Sequence, residues 1–295
     1  MTPTPLHLDD SGLVREALAR ASILFTDVDG TLVAPGGVLL ADASGAPSLA
    51  TAEAVVELNR AGLSAVITTG RNRPQCGEIT RLLGWRAFIA ELGCVVQFDR
   101  SQEPEYLMGD WPEDALQPGE TPFQAMIRAG ALQALTREFP GRIEEHTPWH
   151  TDRVATHVLR GNVDRNQAQA ALDRLDLPID IVDNGIVNPP RHTLVGVSEI
   201  HAYHLVPRGS HKTTAITRVL ERRGLTREDA VSIGDSATDV EMADVTALCV
   251  LVGNALDDER VRAAAAARDN VAVTQRQRGE GWAEFVWAWL SARRD

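Results

Sequence analysis

The sequence predicts an α/β fold: a doubly wound parallel sheet with helices on both faces, into which a smaller α+β domain is inserted. The prediction rests on two patterns. Short apolar runs that stop abruptly at acids or glycine alternate with amphipathic stretches in the first and last thirds of the chain. A polar, proline-punctuated stretch beginning near Asp99 then breaks that alternation in the middle.

From Ala21 the run SILF leads into TDVDGTL, a buried strand that ends at Asp27, Asp29 and Gly30. Glu53 to Ala61 follows as an amphipathic helix. LSAVITTGR is a second strand, closed by Thr69, Gly70 and Arg71, and Arg73-Pro74 opens the next helix, because proline suits a first helical turn. RAFIAELGCVVQF is a third apolar run. Pro104, Pro112, Pro118 and Pro122 mark the change of texture, so the chain divides into a core of residues 1–98 and 206–295 around an insert of residues 99–205. Within the insert the pattern predicts a helix from Pro122 to Phe139, a strand from Val154 to Leu159 and a helix from Asp164 to Leu175. IDIVDNGIV reads as a hairpin turning at Asn184-Gly185. Beyond it AVSIGDSATD and ALCVLVGNA are two more core strands, and the alanine run Ala263 to Ala267 is helical.

At 295 residues and 44% hydrophobic content the chain can bury a sizeable core. Its formal charge of -12 supplies no positive field for nucleic acid or anionic lipid, so neither is an expected partner and an anionic substrate must be gripped locally. Cys76, Cys94 and Cys249 lack C-x-x-C spacing, which argues against a disulfide framework or zinc knuckle and suits a reducing compartment. MTPTPLHLDD has neither the basic start nor the apolar run of a secretory signal, and no run reaches membrane-spanning length; the cytoplasm is the expected location.

Asp27 and Asp29 stand two apart at a strand end, where period-two geometry sends both carboxylates the same way and they repel unless a cation or proton is shared. A calcium loop fails as an explanation, since Leu32 falls where that loop needs glycine and Val38 where it needs glutamate. Asp235 and Asp239 form a second pair just after another strand, within the first turn of a helix. Either pair alone is an ordinary turn or cap. Together they place hard oxygen ligands at the carboxyl edge of one sheet, which suits Mg²⁺.

FTDVDGTL resembles the first motif of the haloacid dehalogenase superfamily, ITTGR the second with Thr69, PRGSHKTTAI the third with Lys212, and GDSATDVEM the fourth. VAVTQRQRGEGWAEFVWAWL is similar to the family's last strand and helix, so the resemblance spans the chain beyond its first twenty residues. It implies a Rossmann-like core and a phosphoric monoester hydrolase dependent on Mg²⁺, whose partner is a small-molecule phosphate ester. By the same resemblance Asp27 is the nucleophile that becomes an aspartyl-phosphate, and Asp29 is the general acid and base. Gly30, Thr69, Gly70, Arg71 and Lys212 hold the phosphoryl group, Lys212 by its charge. Asp27, Asp235 and the backbone carbonyl of Asp29 form the metal site, which Asp239 orients. Thr238 departs from the family pattern, where asparagine is common.

The insert lies between the second and third motifs, where the branch with Cof-like, sucrose-phosphate and mannosyl-phosphoglycerate phosphatases carries its large α/β cap. That placement implies a cap reading the leaving group of a sugar phosphate or phosphoglycerate derivative. Arg191 and His192 after Pro189-Pro190, and His146, Trp149, His150 and Arg153 in HTPWHTDR, are candidate readers, weighed against a solvated loop and a partly buried tryptophan. His201 and His204 face opposite sides of a strand, which disfavours zinc. A phosphomutase is disfavoured for want of a glycine-rich fourth motif, an inactive binding protein by intact Asp27, Asp29, Lys212 and Asp235, and a dehalogenase by the acidic metal cluster. The sequence sets no oligomeric state. LVPRGSH, from Leu205 to His211, is identical to a thrombin-cleavable tag linker but lies inside the third motif, and is read as native.

Overall fold

The computed structural model describes residues 6–8 and 12–294. Its strands are β1 (Leu6–His7), β2 (Ile23–Thr26), β3 (Ser64–Thr68), β4 (Ala87–Ala90), β5 (Val95–Gln97), β6 (Glu105–Tyr106), β7 (Ile143–Glu145), β8 (His157–Gly161), β9 (Ile179–Ile186), β10 (His201–Pro207), β11 (Ala230–Gly234), β12 (Leu248–Leu251) and β13 (Val271–Val273). The helices are α1 (Gly12–Arg20), α2 (Ala50–Arg60), α3 (Arg73–Leu83), α4 (Pro122–Arg128), α5 (Ala131–Glu138), α6 (Arg165–Leu172), α7 (Lys212–Arg223), α8 (Ala237–Val240), α9 (Glu259–Ala266) and α10 (Arg278–Ala292).

A nine-stranded sheet runs in the order β1-β13-β12-β11-β2-β3-β4-β5-β6. It is parallel from β1 to β4, and β5 and β6 add an antiparallel edge. Because β2 sits between β11 and β3, the chain leaves β2 where strand order reverses, the place where open α/β sheets bind ligands. Every residue of β2 is buried. Leu24 packs with Trp282, Phe285 and Trp289 of α10 on one face, while Ile23 and Phe25 pack with Ile216 and Val219 of α7 on the other. The Trp282 indole N–H donates to the Thr26 hydroxyl at 3.0 Å, so the largest buried ring also pins the end of the central strand.

A second, antiparallel sheet, β7-β8-β10-β9, carries α4, α5 and α6 on one face. Alternation along β10 decides which way each residue looks: Tyr203 and Leu205 join the helix-side cluster, whereas Val206 joins the core of the large sheet. The two crossings between the sheets lie side by side. The Asp110 amide donates to the Arg208 carbonyl at 2.7 Å and the Ser210 hydroxyl to the Leu107 carbonyl at 2.7 Å. The chains touch at Gly109, where a Cβ would stand 1.9 Å from the Arg208 oxygen.

Several elements depart from the sequence reading. IDIVDNGIV is not a hairpin: β9 continues through it and pairs with β10, and Asn184-Gly185 makes a bulge where the register slips between His201 and Tyr203. A left-handed glycine (φ 93°) serves a bulge as well as a turn, and the decisive factor is the strand that arrives later to pair. The third apolar run folds as β4 and β5, reversed at Glu91, Leu92 and Gly93, all at positive φ. The helix from Pro122 to Phe139 is broken at Gly130 (φ 80°) into α4 and α5. The helix expected to reach Leu175 ends at Leu172, and the strand expected from Val154 begins at His157. Glu105–Tyr106 belongs to the large sheet, beyond the change of texture at Asp99. Among the described residues no helix is long and apolar enough to cross a membrane.

Candidate active site

The candidate site is built where β2, β3 and β11 end and α7 begins. The Asp27 amide donates to the Ile233 carbonyl at 2.9 Å, which extends the ladder by one residue and holds the Asp27 carboxylate at the sheet edge. Lys212, the first residue of α7, is 5% exposed, and its ammonium donates to Asp27 Oδ1 at 2.9 Å and to Asp239 Oδ1 at 2.7 Å. Asp27, Asp235 and Asp239 bring carboxylate oxygens within 4.8 Å of one another.

Burial pushes the Asp27 carboxyl well above its ordinary range; Lys212 pulls it down, and Asp239, Asp235 and Asp29 push it further up. Burial, and then the Asp239 charge, hold Asp235 up to about 7. Burial disfavours the Lys212 charge, but Asp239 and Asp27 outweigh it and hold the ammonium above its usual range. Three carboxylates thus face one ammonium, with an excess of negative charge that a divalent cation would balance. Hard oxygens at this spacing fit Mg²⁺, which takes one or two carboxylates together with phosphate and water.

Asp239 is the most constrained of the set. Its Oδ2 accepts from the Asp235 amide (3.2 Å), the Ser236 amide (3.0 Å) and the Ser236 hydroxyl (2.6 Å), and its Oδ1 from Lys212. With so many donors it acts mainly to fix the loop that presents Asp235. Thr238 shares a hydrogen bond with the Ser236 hydroxyl at 2.9 Å and so supports the same loop.

The Asp29 carboxylate does not join the cluster. It is 60% exposed and accepts from Arg71 Nε at 2.8 Å and Nη2 at 2.6 Å. Period-two geometry fails here because the strand has ended: Gly30 turns the chain at φ 79°, and a Cβ there would lie 2.1 Å from Asp235 Oδ2. Arg71 is therefore spent on Asp29, whose hydrogen bond, ahead of the opposing burial, raises its already high pKa. Thr69 is buried beside Asp27's strand, its hydroxyl accepting from the Arg71 amide at 3.3 Å.

Other participants were not singled out by the sequence reading. Asn254 Nδ2 donates to the Gly30 carbonyl at 3.1 Å and Asp235 Oδ2 at 3.3 Å, and the Thr31 hydroxyl to Asp235 Oδ1 at 3.2 Å. Glu91, fully buried, collects the amides of Val154, Ala155 and Thr156 and the Thr156 hydroxyl, at 2.8 to 3.1 Å, and so binds the small-sheet domain to the core. A lone acid inside the apolar run FIAELGCVV was its only trace in the sequence. Of the candidate readers, Arg153 is buried at this junction, His150 Nδ1 pairs with the Val158 carbonyl at 2.9 Å, His146 is buried, Trp149 is 52% exposed, and Arg191 and His192 are exposed. His201 pairs with Asp183 and Glu199, and His204, buried, faces away from it toward Gly70.

A family model for haloacid dehalogenase-like hydrolases matches residues 24–108 and 188–279, leaving out most of the small-sheet domain. The phosphoglycolate phosphatase of Methanothrix thermoacetophila is 28% identical over 260 residues, covering 88% of this chain and 93% of that protein, and that of Nitrosopumilus maritimus is 25% identical over 80% and 85%. A crystal structure from Thermoplasma acidophilum superposes with a TM-score of 0.59 at 17% identity, over 92% of this chain and 98% of the other. The sucrose-phosphatase of Synechocystis, solved with sucrose and phosphate, does so with 0.56 at 15%, over 92% and 98%. The chain belongs to the haloacid dehalogenase-like hydrolases. Within that family it is a phosphoric monoester hydrolase.

Proposed function

We propose that the chain is a Mg²⁺-dependent phosphatase that releases phosphate from a small phosphorylated metabolite, a sugar phosphate or phosphoglycerate derivative, through an aspartyl-phosphate on Asp27. The observation that carries this reading is the Lys212 ammonium lodged between Asp27 and Asp239, beside Asp235. Asp27, Asp235 and the Asp29 carbonyl would hold Mg²⁺, with Asp239 at their border. When bound, the ion supplies the counter-charge that keeps Asp27 ionised and tempers the phosphoryl dianion.

An Asp27 oxygen then bonds to phosphorus as the bond from phosphorus to the leaving oxygen breaks, and Asp29 gives that oxygen its proton. Asp29 next takes a proton from water. The resulting hydroxide attacks phosphorus, frees Asp27 and leaves inorganic phosphate. A carboxylate clasped by a guanidinium only accepts hydrogen bonds, so Asp29 must first be released by Arg71, which is thereby free to bind phosphoryl oxygens with Gly30, Thr69, Gly70 and Lys212.

The small-sheet domain, within the insert of residues 99–205 whose β6 pairs in the large sheet, serves as the cap over this edge, residues 1–98 and 206–295 as the core, and the names of the relatives support an acidic or sugar-like leaving group. Three buried free cysteines suit a cytoplasmic enzyme. The test is phosphate release from a panel of phosphorylated metabolites in Mg²⁺. Asp27→Asn should abolish release with the circular dichroism spectrum intact; undiminished turnover by that variant would refute the mechanism.

A further inference from the structure

The helix-free face of the small sheet rests on the catalytic edge, and His204 of β10 is the residue that meets it. His204 is 3% exposed, and its ring lies against Gly70 of the phosphate loop, where a Cβ would stand 3.2 Å from Cε1. Its Nδ1 is buried without a hydrogen-bond partner, as is Nδ1 of His146 and of His157. His150 and His157 each anchor one ring nitrogen on a backbone carbonyl, of Val158 and Phe123, so the bare Nδ1 of His157 belongs to a ring already held by its Nε2. His204 has no such anchor, although leaving a buried polar atom without a partner is costly. Burial keeps its imidazole neutral, and the permanent charges that bear on it, Arg153 and Lys212, are positive, while burial holds His146 down to about 4 and so neutral. Glu91, the buried acid of the junction between the two sheets, is already occupied by donors from Val154 to Thr156.

We infer that His204 determines specificity by donating a ring N–H to a carboxylate on the leaving group, so that the site prefers a short phosphorylated hydroxy acid. The Arg153 guanidinium, first among the charges acting on His204, favours an anion there over a sugar hydroxyl, and the contact with Gly70 sets the carboxylate close to the transferred phosphoryl. The inference rests on the phosphatase reading above.

The full-length chain in Mg²⁺ is compared on 2-phosphoglycolate and on ethyl phosphate, which lacks the carboxylate. His204→Ala should lower kcat/KM for 2-phosphoglycolate about 10- to 100-fold more than for ethyl phosphate, mostly through KM, as expected for one lost hydrogen bond to a charged group. His204→Gln, which keeps a donor, should recover part of the loss. Equal losses on both esters would mark His204 as packing only and overturn the assignment, as would no loss on either. Should His204→Ala fail to fold, His204→Gln carries the comparison, together with inhibition by glycolate, which is expected to weaken in that variant. Wild-type protein that releases phosphate from neither these esters nor the metabolite panel would bring down the phosphatase reading and this inference with it, whereas turnover without a carboxylate preference would bring down the inference alone.

Discussion

Arg153 Nη2 donates to the carbonyl of Gly70 at 2.9 Å, and this bond joins the small-sheet domain to the loop of Thr69, Gly70 and Arg71. The same guanidinium donates to Trp149 O and to the Thr156 hydroxyl, so it braces its own loop while gripping another. Arg153→Ala removes all three bonds and leaves Gly70 free to drift. A hydrogen bond from a charged donor is worth about 1.5–3 kcal/mol, so kcat/KM should fall at least about tenfold. Steady-state kinetics checks it; wild-type constants in a folded variant would show that the bond positions nothing.

Mg²⁺ should stabilise the protein through the acidic cluster. An ion at a hundred times its dissociation constant adds about 2.7 kcal/mol, a rise of several degrees in Tm. Asp235→Asn should lose most of that rise and have a higher Tm than wild type in chelator, because one of three crowded carboxylates is gone. Differential scanning calorimetry with Mg²⁺ and with chelator decides; an equal response in both proteins would remove Asp235 from the site.

Lys212→Met should be severe for stability as well as activity. It strips the buried carboxylates of Asp27 and Asp239 of their partner, a loss of about 3–5 kcal/mol for a broken buried pair. The urea midpoint should fall with it, and Mg²⁺ should restore part of the loss. A midpoint within error of wild type would contradict the pairing.

Acid should loosen the small-sheet domain. Burial lowers His157 to about 4, against about 6.5 when unfolded, so between those values the unfolded chain holds the extra proton. The contribution is whole above about 6.5 and is lost as pH falls toward 4, at up to about 1.4 kcal/mol per pH unit. Asp235 works in the opposite sense: held up to about 7, it contributes fully below about 4 and loses that contribution as pH rises through 7. The His157 share is isolated by His157→Gln, whose stability from urea melts should fall less steeply from pH 6.5 to 4 than that of wild type. Parallel curves would exclude the histidine.

Thrombin should leave the folded protein intact despite its LVPRGSH sequence. Leu205 and Val206 are fully buried in β10 between β8 and β9, and a protease needs an extended, accessible segment. Gel electrophoresis after digestion, with and without urea, checks this. Cleavage after Arg208 without urea would show that the strand opens readily.

The parallel strands of the core were legible because each is buried on both faces and so reads as a bare apolar run: ILFT, SAVIT and LCVL. The clustering of Asp27, Asp235 and Asp239 with Lys212 was legible because each follows such a strand or opens a helix at a motif. What escaped notice depends on partners far along the chain. Asn254 reaches Gly30 across more than two hundred residues, and only folding shows that its amide faces Asp235. Glu91 is explained by amides of Val154 to Thr156, and a backbone donor leaves no mark in sequence. Asn184-Gly185 misled because a hairpin and a bulge ask the same φ of glycine and differ only in which strand pairs.

The adjacency of the two crossings at Gly109 and Arg208 makes the small-sheet domain an interchangeable module. Its two ends leave the core at one spot, so the parent architecture is insensitive to how long or how differently folded the intervening chain becomes. Under the proposed function, exchanging that cassette would change the substrate while leaving the strand ends that carry Asp27 and Asp235 in place, provided the junction keeps its glycine.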